Sequence, residues 1–168
     1  MTSTEEKPGC LTTLRKLFGL GPPKPEVLPY EMRYHFLSAA EVSFYHVLHT
    51  VIRDRAVICP KVRMTDILYV RNQRENYAYF GKISQKHVDF LLCDPKSMRP
   101  LLAIELDDSS HKRADRAERD AFVNRAFETA GLPLLHVPAR KTYPTNEIAG
   151  LILPQLDEQA KTDRTGRQ

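Results

Sequence analysis

Apolar positions in the chain change period several times, and each change marks an element. Residues 38–53, SAAEVSFYHVLHTVIR, place Phe44, Val47, Leu48, Val51 and Ile52 at helical spacing, with Ser38 as an N-cap. Residues 57–62, VICPKV, predict a strand. Residues 63–85 are charged and irregular, with DILYV suggesting a short helix and YAYFG a turn or strand. Two apolar runs follow, HVDFLLC at 87–93 and LLAIEL at 101–106, separated by the turn residues Asp94-Pro95-Lys96-Ser97. They predict a hairpin. Ala117, Ala121, Phe122, Phe127 and Ala130 then give the stripe of a helix from about Ser110 to Ala130, stopped by Gly131. PLLHV at 133–137 predicts a short buried strand. A last short helix is expected within 144–156, capped by Thr145 or Asn146. The order is helix, three strands, helix, strand, helix, an α/β architecture in which helices flank a mixed β-sheet.

The ends read differently. Residues 1–29 form an expected arm, with a polar start, the short basic segment LTTLRKLFGL and the proline-rich GPPKPEVLP. Leu11, Leu14, Leu17 and Leu20 suit a marginal amphipathic helix, which either packs on its own domain or meets a protein partner or a membrane surface. The folded body is expected over 30–156, and 157–168 as a frayed polar tail.

Composition narrows the function classes. Of 168 residues, 42% are hydrophobic and 27% charged, the balance of an ordinary folded domain. No apolar run approaches the ~20 residues of a membrane span, so no integral membrane segment is expected. A net charge of +4 permits nucleic-acid contact without arguing for it. The three cysteines, Cys10, Cys59 and Cys93, form no Cys-x-x-Cys pair, which disfavours a zinc ribbon or a disulfide framework. With no secretory h-region in residues 1–20, a cytoplasmic setting is expected.

Acidic residues inside apolar strands change the picture most. Asp89 interrupts HVDFLLC, while Glu105 and Asp107, two residues apart, share one face of the next strand. A hairpin brings all three together, and clustered carboxylates call for a cation or protons. Oxygen donors favour Mg²⁺, with Mn²⁺ as a substitute. Each acid also has a plainer reading. Asp89 can pair with Lys86, Lys112 or an arginine, Glu105 can sit at a solvent-facing strand end, and Asp107 can open a capping turn. Glu41 lies one turn before Phe44, aimed at the sheet, but it also completes a capping box with Ser38. His111 and Lys112, near the start of the long helix, are candidates for a proton-transfer group and a phosphate-stabilising charge. Arg116 and Arg119 on that helix either face phosphates or pair with Asp115, Glu118 and Asp120.

Taken in order, Glu41 on the first helix, Val88-Asp89-Phe90 on one strand and Ala103-Ile104-Glu105-Leu106-Asp107 on the next resemble the PD-(D/E)xK, or restriction-endonuclease-like, superfamily. The run Glu105 to His111, with Arg119-Asp120 and the join Ala130-Gly131-Leu132-Pro133, is similar to the very-short-patch-repair endonuclease branch. Residues 30–156 look closest to an uncharacterised bacterial domain family of unknown function, whose members are sometimes fused to topoisomerase-type zinc fingers. The resemblance implies a restriction-endonuclease-like core and Mg²⁺-dependent hydrolysis of DNA. It implies Asp89 and Glu105 as metal ligands, with the Leu106 carbonyl and Glu41 contributing, and His111 as base or transition-state stabiliser. The position two after Glu105, commonly lysine in that superfamily, is Asp107. Lys112 or Lys86 is the expected replacement. The competing expectation is a noncatalytic module that keeps the fold and binds DNA or a protein.

Overall fold

A computed structural model describes residue 18, residues 27–107 and residues 114–165, the side chains of 114–119 and 163–165 excepted. The chain divides into two compact units, Met1–Tyr34 and His35–Gln168. In the first, residues 27–34 are exposed and form neither helix nor strand. Apart from Phe18, the expected helix over 11–20 lies outside the described residues.

The second unit starts with α1 (Ala39–Ile52), whose capping box is complete. Ser38 N donates to Glu41 Oε2 at 2.7 Å and Glu41 N donates to Ser38 Oγ at 3.3 Å. Then come β1 (Val57–Arg63), α2 (Met64–Ile67), α3 (Tyr77–Ser84), β2 (His87–Cys93), β3 (Pro100–Asp107), α4 (Ala114–Ala130), β4 (Leu134–Pro138) and α5 (Thr145–Thr165). The strands form a mixed sheet in the order β1-β2-β3-β4, antiparallel except for the parallel pair β3 and β4.

Alternation along the central strands builds two cores. Phe90, Leu92, Leu102 and Ile104 join Phe44 and Leu48 of α1 and Ile148 and Ile152 of α5 on one face. Leu91, Cys93 and Ala103 join Met64, Ile83, Val123 and Phe127 on the other, beneath α2, α3 and α4. Phe44, Phe90 and Phe127 are almost wholly buried, each removing on the order of 150–250 Å² from water.

Four sequence expectations need correction. YAYFG lies in α3 and is helical, neither turn nor strand, because burying Ile83 against the second core outweighs the strand-like aromatic spacing. β4 is buried only at Val137, since it is an outer strand with one hydrogen-bonded neighbour among the described residues. The last helix is long, running through Pro154 to Thr165, so residues 157–165 continue it where a frayed tail was expected. Its first bond runs from Ile148 N to Pro144 O, placing Thr145 and Asn146 inside the helix where a cap was expected. The stop after α4 is as expected, with Gly131 at φ 70° and Leu132 N donating to Phe127 O. No helix among the described residues is long and apolar enough to cross a membrane.

Candidate functional site

The site lies where the middle of the sheet comes apart. The β2–β3 ladder pairs Leu92 with Leu102, Leu91 with Ala103 and Phe90 with Ile104. Asp89 and Glu105 come next, and there a side chain spans the two strands, with Leu106 N donating to Asp89 Oδ2 at 2.8 Å. The outer ladders run further. β1 still pairs with β2 at Val62–Val88, and β3 with β4 at Glu105–His136 and Leu106–Val137.

Lys61 occupies this end of the sheet. Pro60 faces Phe90 and Val62 faces Val88, which sets Lys61 level with Asp89. Its backbone has φ 55°, a left-handed conformation that a lysine adopts only when its surroundings hold it there. Lys61 Nζ donates to Glu41 Oε1 and to Asp89 Oδ1, the second at 3.0 Å. The side chains of Glu41, Asp89 and Lys61 keep only 11%, 18% and 25% of their exposure. Burial pushes the Glu41 carboxyl up, but the Lys61 ammonium, the Ser38 amide and Asp89 outweigh it and hold it at about 2. Burial likewise pulls Lys61 down, and its bonds to Glu41 and Asp89 carry it above the ordinary lysine value. Glu41 and Lys61 therefore remain charged across the physiological range.

A second group adjoins it. Glu105, Asp107 and His136 each offer one donor atom, and these atoms lie within 4.8 Å of one another. The parallel register sets His136 opposite Glu105, and the two-residue repeat puts Asp107 on the same face. His136 Nδ1 lies 3.1 Å from Asp107 Oδ1, and its Nε2 lies 2.8 Å from Asn124 Oδ1 of α4. The Glu105 carboxyl is raised. Burial is the main cause, opposed by His136 and reinforced by the negative fields of Asp89, Asp107 and Asp120. Glu105 thus has negative neighbours and no lysine or arginine bonded to it among the described residues.

The acids expected from the sequence form two adjoining groups, Glu41 with Asp89 and Glu105 with Asp107. Asp89 is partnered by Lys61, where Lys86, Lys112 or an arginine was expected. Glu105 is half-buried, not at a solvent-facing strand end. His111 and Lys112 lie outside the described residues, as do the side chains of Arg116 and Arg119 on α4. Sequence reading missed Lys61, His136 and Asn124. The available signal for Lys61 was a lysine inside an apolar strand, the same irregularity that drew attention to Asp89.

A family model described as "Protein of unknown function (DUF2726)" matches residues 33–155. The chain belongs to this family. The DUF2726 match takes in every element from α1 to β4 and most of the apolar part of α5, so both acidic groups and Lys61 fall inside it. No curated protein and no solved structure matches the chain.

Proposed function

We propose that this domain is a divalent-cation-dependent nuclease that hydrolyses a DNA phosphodiester bond. The observation that carries the reading is Lys61, held between Glu41 and Asp89 where the β2–β3 ladder gives way beside Glu105. The strand order supports it, because three antiparallel strands followed by a helix and a parallel fourth agree with a restriction-endonuclease-like core. Lys61 also provides the positive charge that Asp107 does not.

The donor set fits a hard or borderline cation. Glu105 and Asp107 bring carboxylates and His136 an imidazole, and Glu105 holds its proton more tightly than an ordinary carboxyl until a positive charge arrives. Two carboxylates suit Mg²⁺, and the imidazole favours Mn²⁺. When bound, such an ion polarises a phosphoryl oxygen and lowers the pKa of an attacking water. Glu41 and Asp89 fix the Lys61 ammonium, which stabilises negative charge developing on the phosphate. The Leu106 amide holds Asp89 in place from the neighbouring strand. Asn124 orients the His136 ring.

A noncatalytic descendant is the second reading. It is favoured by one observation, that both Asp89 oxygens already have protein partners, Lys61 and the Leu106 amide. Calorimetric titration of Mg²⁺ and Mn²⁺, with cleavage of mixed single- and double-stranded DNA, separates the two. In the nuclease, Glu105→Gln loses both metal binding and cutting, and Lys61→Met keeps metal binding but loses cutting. A folded parent chain that binds neither ion at millimolar concentration overturns the proposal.

A further inference from the structure

The crossover between β1 and β2 carries three tyrosines whose rings stand in solvent. Tyr69 is 82% exposed, Tyr77 70% and Tyr79 54%. The apolar side of the crossover is already buried, with Met64 and Ile83 in the second core and Ile67, Leu68 and Val70 packed against it. The tyrosines point the other way, so fold packing does not account for them.

Charge surrounds the rings. Residues 63–86 hold five cations, Arg63, Arg71, Arg74, Lys82 and Lys86, against two acids, Asp66 and Glu75. Arg71 and Arg74 are exposed on the turns between α2 and α3. Lys82 Nζ lies 5.4 Å from the centre of the Tyr79 ring and 5.1 Å from that of Phe122 on α4. Tyr77 stacks on Phe80 with centroids 6.2 Å apart.

The crossover is tied to the strand ends that bear the acidic site. Arg63 donates to the Ser84 carbonyl at 3.1 Å, and Met64 N donates to Lys86 O at 2.9 Å. The second core, which the crossover covers, includes Ala103, and Glu105 follows Ala103 on the same face of β3.

Exposed rings interleaved with arginines match the chemistry of an unpaired strand, whose bases offer free π faces and whose phosphates take guanidinium charge. In a duplex those faces are spent on neighbouring bases. We infer that the β1–β2 crossover is a stacking platform for single-stranded nucleic acid, and, resting on the nuclease reading, that the bond delivered to the acidic site lies in an unpaired strand or end. Bases stack on Tyr69, Tyr77 and Tyr79, and Arg71 and Arg74 meet the phosphates.

The test is fluorescence anisotropy of the full chain with a labelled 12-mer of dT, a 12-mer of U and a 12-base-pair DNA duplex, in EDTA so that no cutting occurs. Both single strands bind about tenfold or more tighter than the duplex. Tyr69→Ala and Tyr77→Ala each weaken single-strand binding about fivefold or more, and the phenylalanine variants restore it. Arg71→Ala and Arg74→Ala each lower the salt slope by about 0.7. Because these side chains are exposed, the melting temperature of every variant stays near that of the parent. Equal affinity for duplex and single strand with no effect of the rings overturns the inference. So does an absence of binding at low salt. Single-strand binding as described, without cleavage in Mn²⁺, leaves the platform standing and removes the nuclease. Cleavage of duplex alone, indifferent to the rings, does the reverse.

Discussion

Leu106 donates its amide to Asp89 Oδ2 at 2.8 Å, a side-chain bond placed where the β2–β3 ladder ends. The carboxylate thus serves two strands at once, since its other oxygen accepts from Lys61 of β1 at 3.0 Å. Asp89→Ala leaves the Leu106 amide without its acceptor and the Lys61 ammonium with Glu41 alone, and is expected to cost about 2–4 kcal/mol. Asp89→Asn keeps an acceptor for the amide and costs less. Urea denaturation of both variants, read by circular dichroism, checks the order.

Removing the lysine tests the opposite charge. Lys61→Met leaves Glu41 and Asp89 facing each other with little solvent between, an expected loss of about 2–4 kcal/mol at neutral pH. The pH dependence has a definite sign. Glu41 is held at about 2, below its ordinary 4.5, so its contribution to stability is complete above 4.5 and disappears as pH falls towards 2. Lys61 is raised, so its contribution is complete below its ordinary value and is lost only as pH climbs past the folded one. Stability of the parent should therefore fall between pH 4.5 and pH 2. In Lys61→Met that fall should flatten, with the Glu41 titration moving up in an NMR pH series.

Glu105 behaves in the reverse sense. Its raised carboxyl destabilises the fold as pH rises through the folded value, and the penalty is absent below the ordinary value of 4.5. Glu105→Gln should accordingly raise the melting temperature at pH 7 by roughly 2–5 °C and change it little at pH 4. Added Mn²⁺ should reverse the ranking, stabilising the parent and leaving the variant unmoved. Differential scanning fluorimetry at the two pH values, with and without the ion, measures all of this.

Asn124 touches neither carboxylate, yet its Oδ1 lies 2.8 Å from His136 Nε2. Asn124→Ala frees the ring to rotate, and Mn²⁺ affinity should drop about tenfold or more while the fold holds. Calorimetry on Asn124→Ala and Asn124→Asp distinguishes orientation from charge. Unchanged affinity in both would remove His136 from the ligand set.

Much of this was legible along the chain because it is local. The Ser38–Glu41 box is written in four consecutive residues, and Glu41 proves to cap the helix and hold Lys61 together. The hairpin and the shared face of Glu105 and Asp107 follow from a two-residue repeat. What escaped notice depends on register. His136 meets Glu105 only through a parallel pairing fixed by α4 and its connections. Lys61 meets Asp89 through a backbone angle that no propensity assigns to lysine. Length misled too. A short helix was expected within 144–156, but α5 runs on to Thr165, with apolar burial of Ile148, Ile152 and Leu156 holding it through Pro154 despite the helical bond lost to the Gly150 carbonyl.

β1 is one of the two outer strands of the sheet, and that gives its central pair another consequence. Pro60 has no amide hydrogen to offer, and at Lys61 the left-handed turn of the backbone breaks the regular row of donors and acceptors. A strand from a second molecule laid along this border would find its hydrogen bonds interrupted halfway. The distortion that directs a lysine towards two carboxylates thereby guards the margin of the sheet against edge-to-edge aggregation.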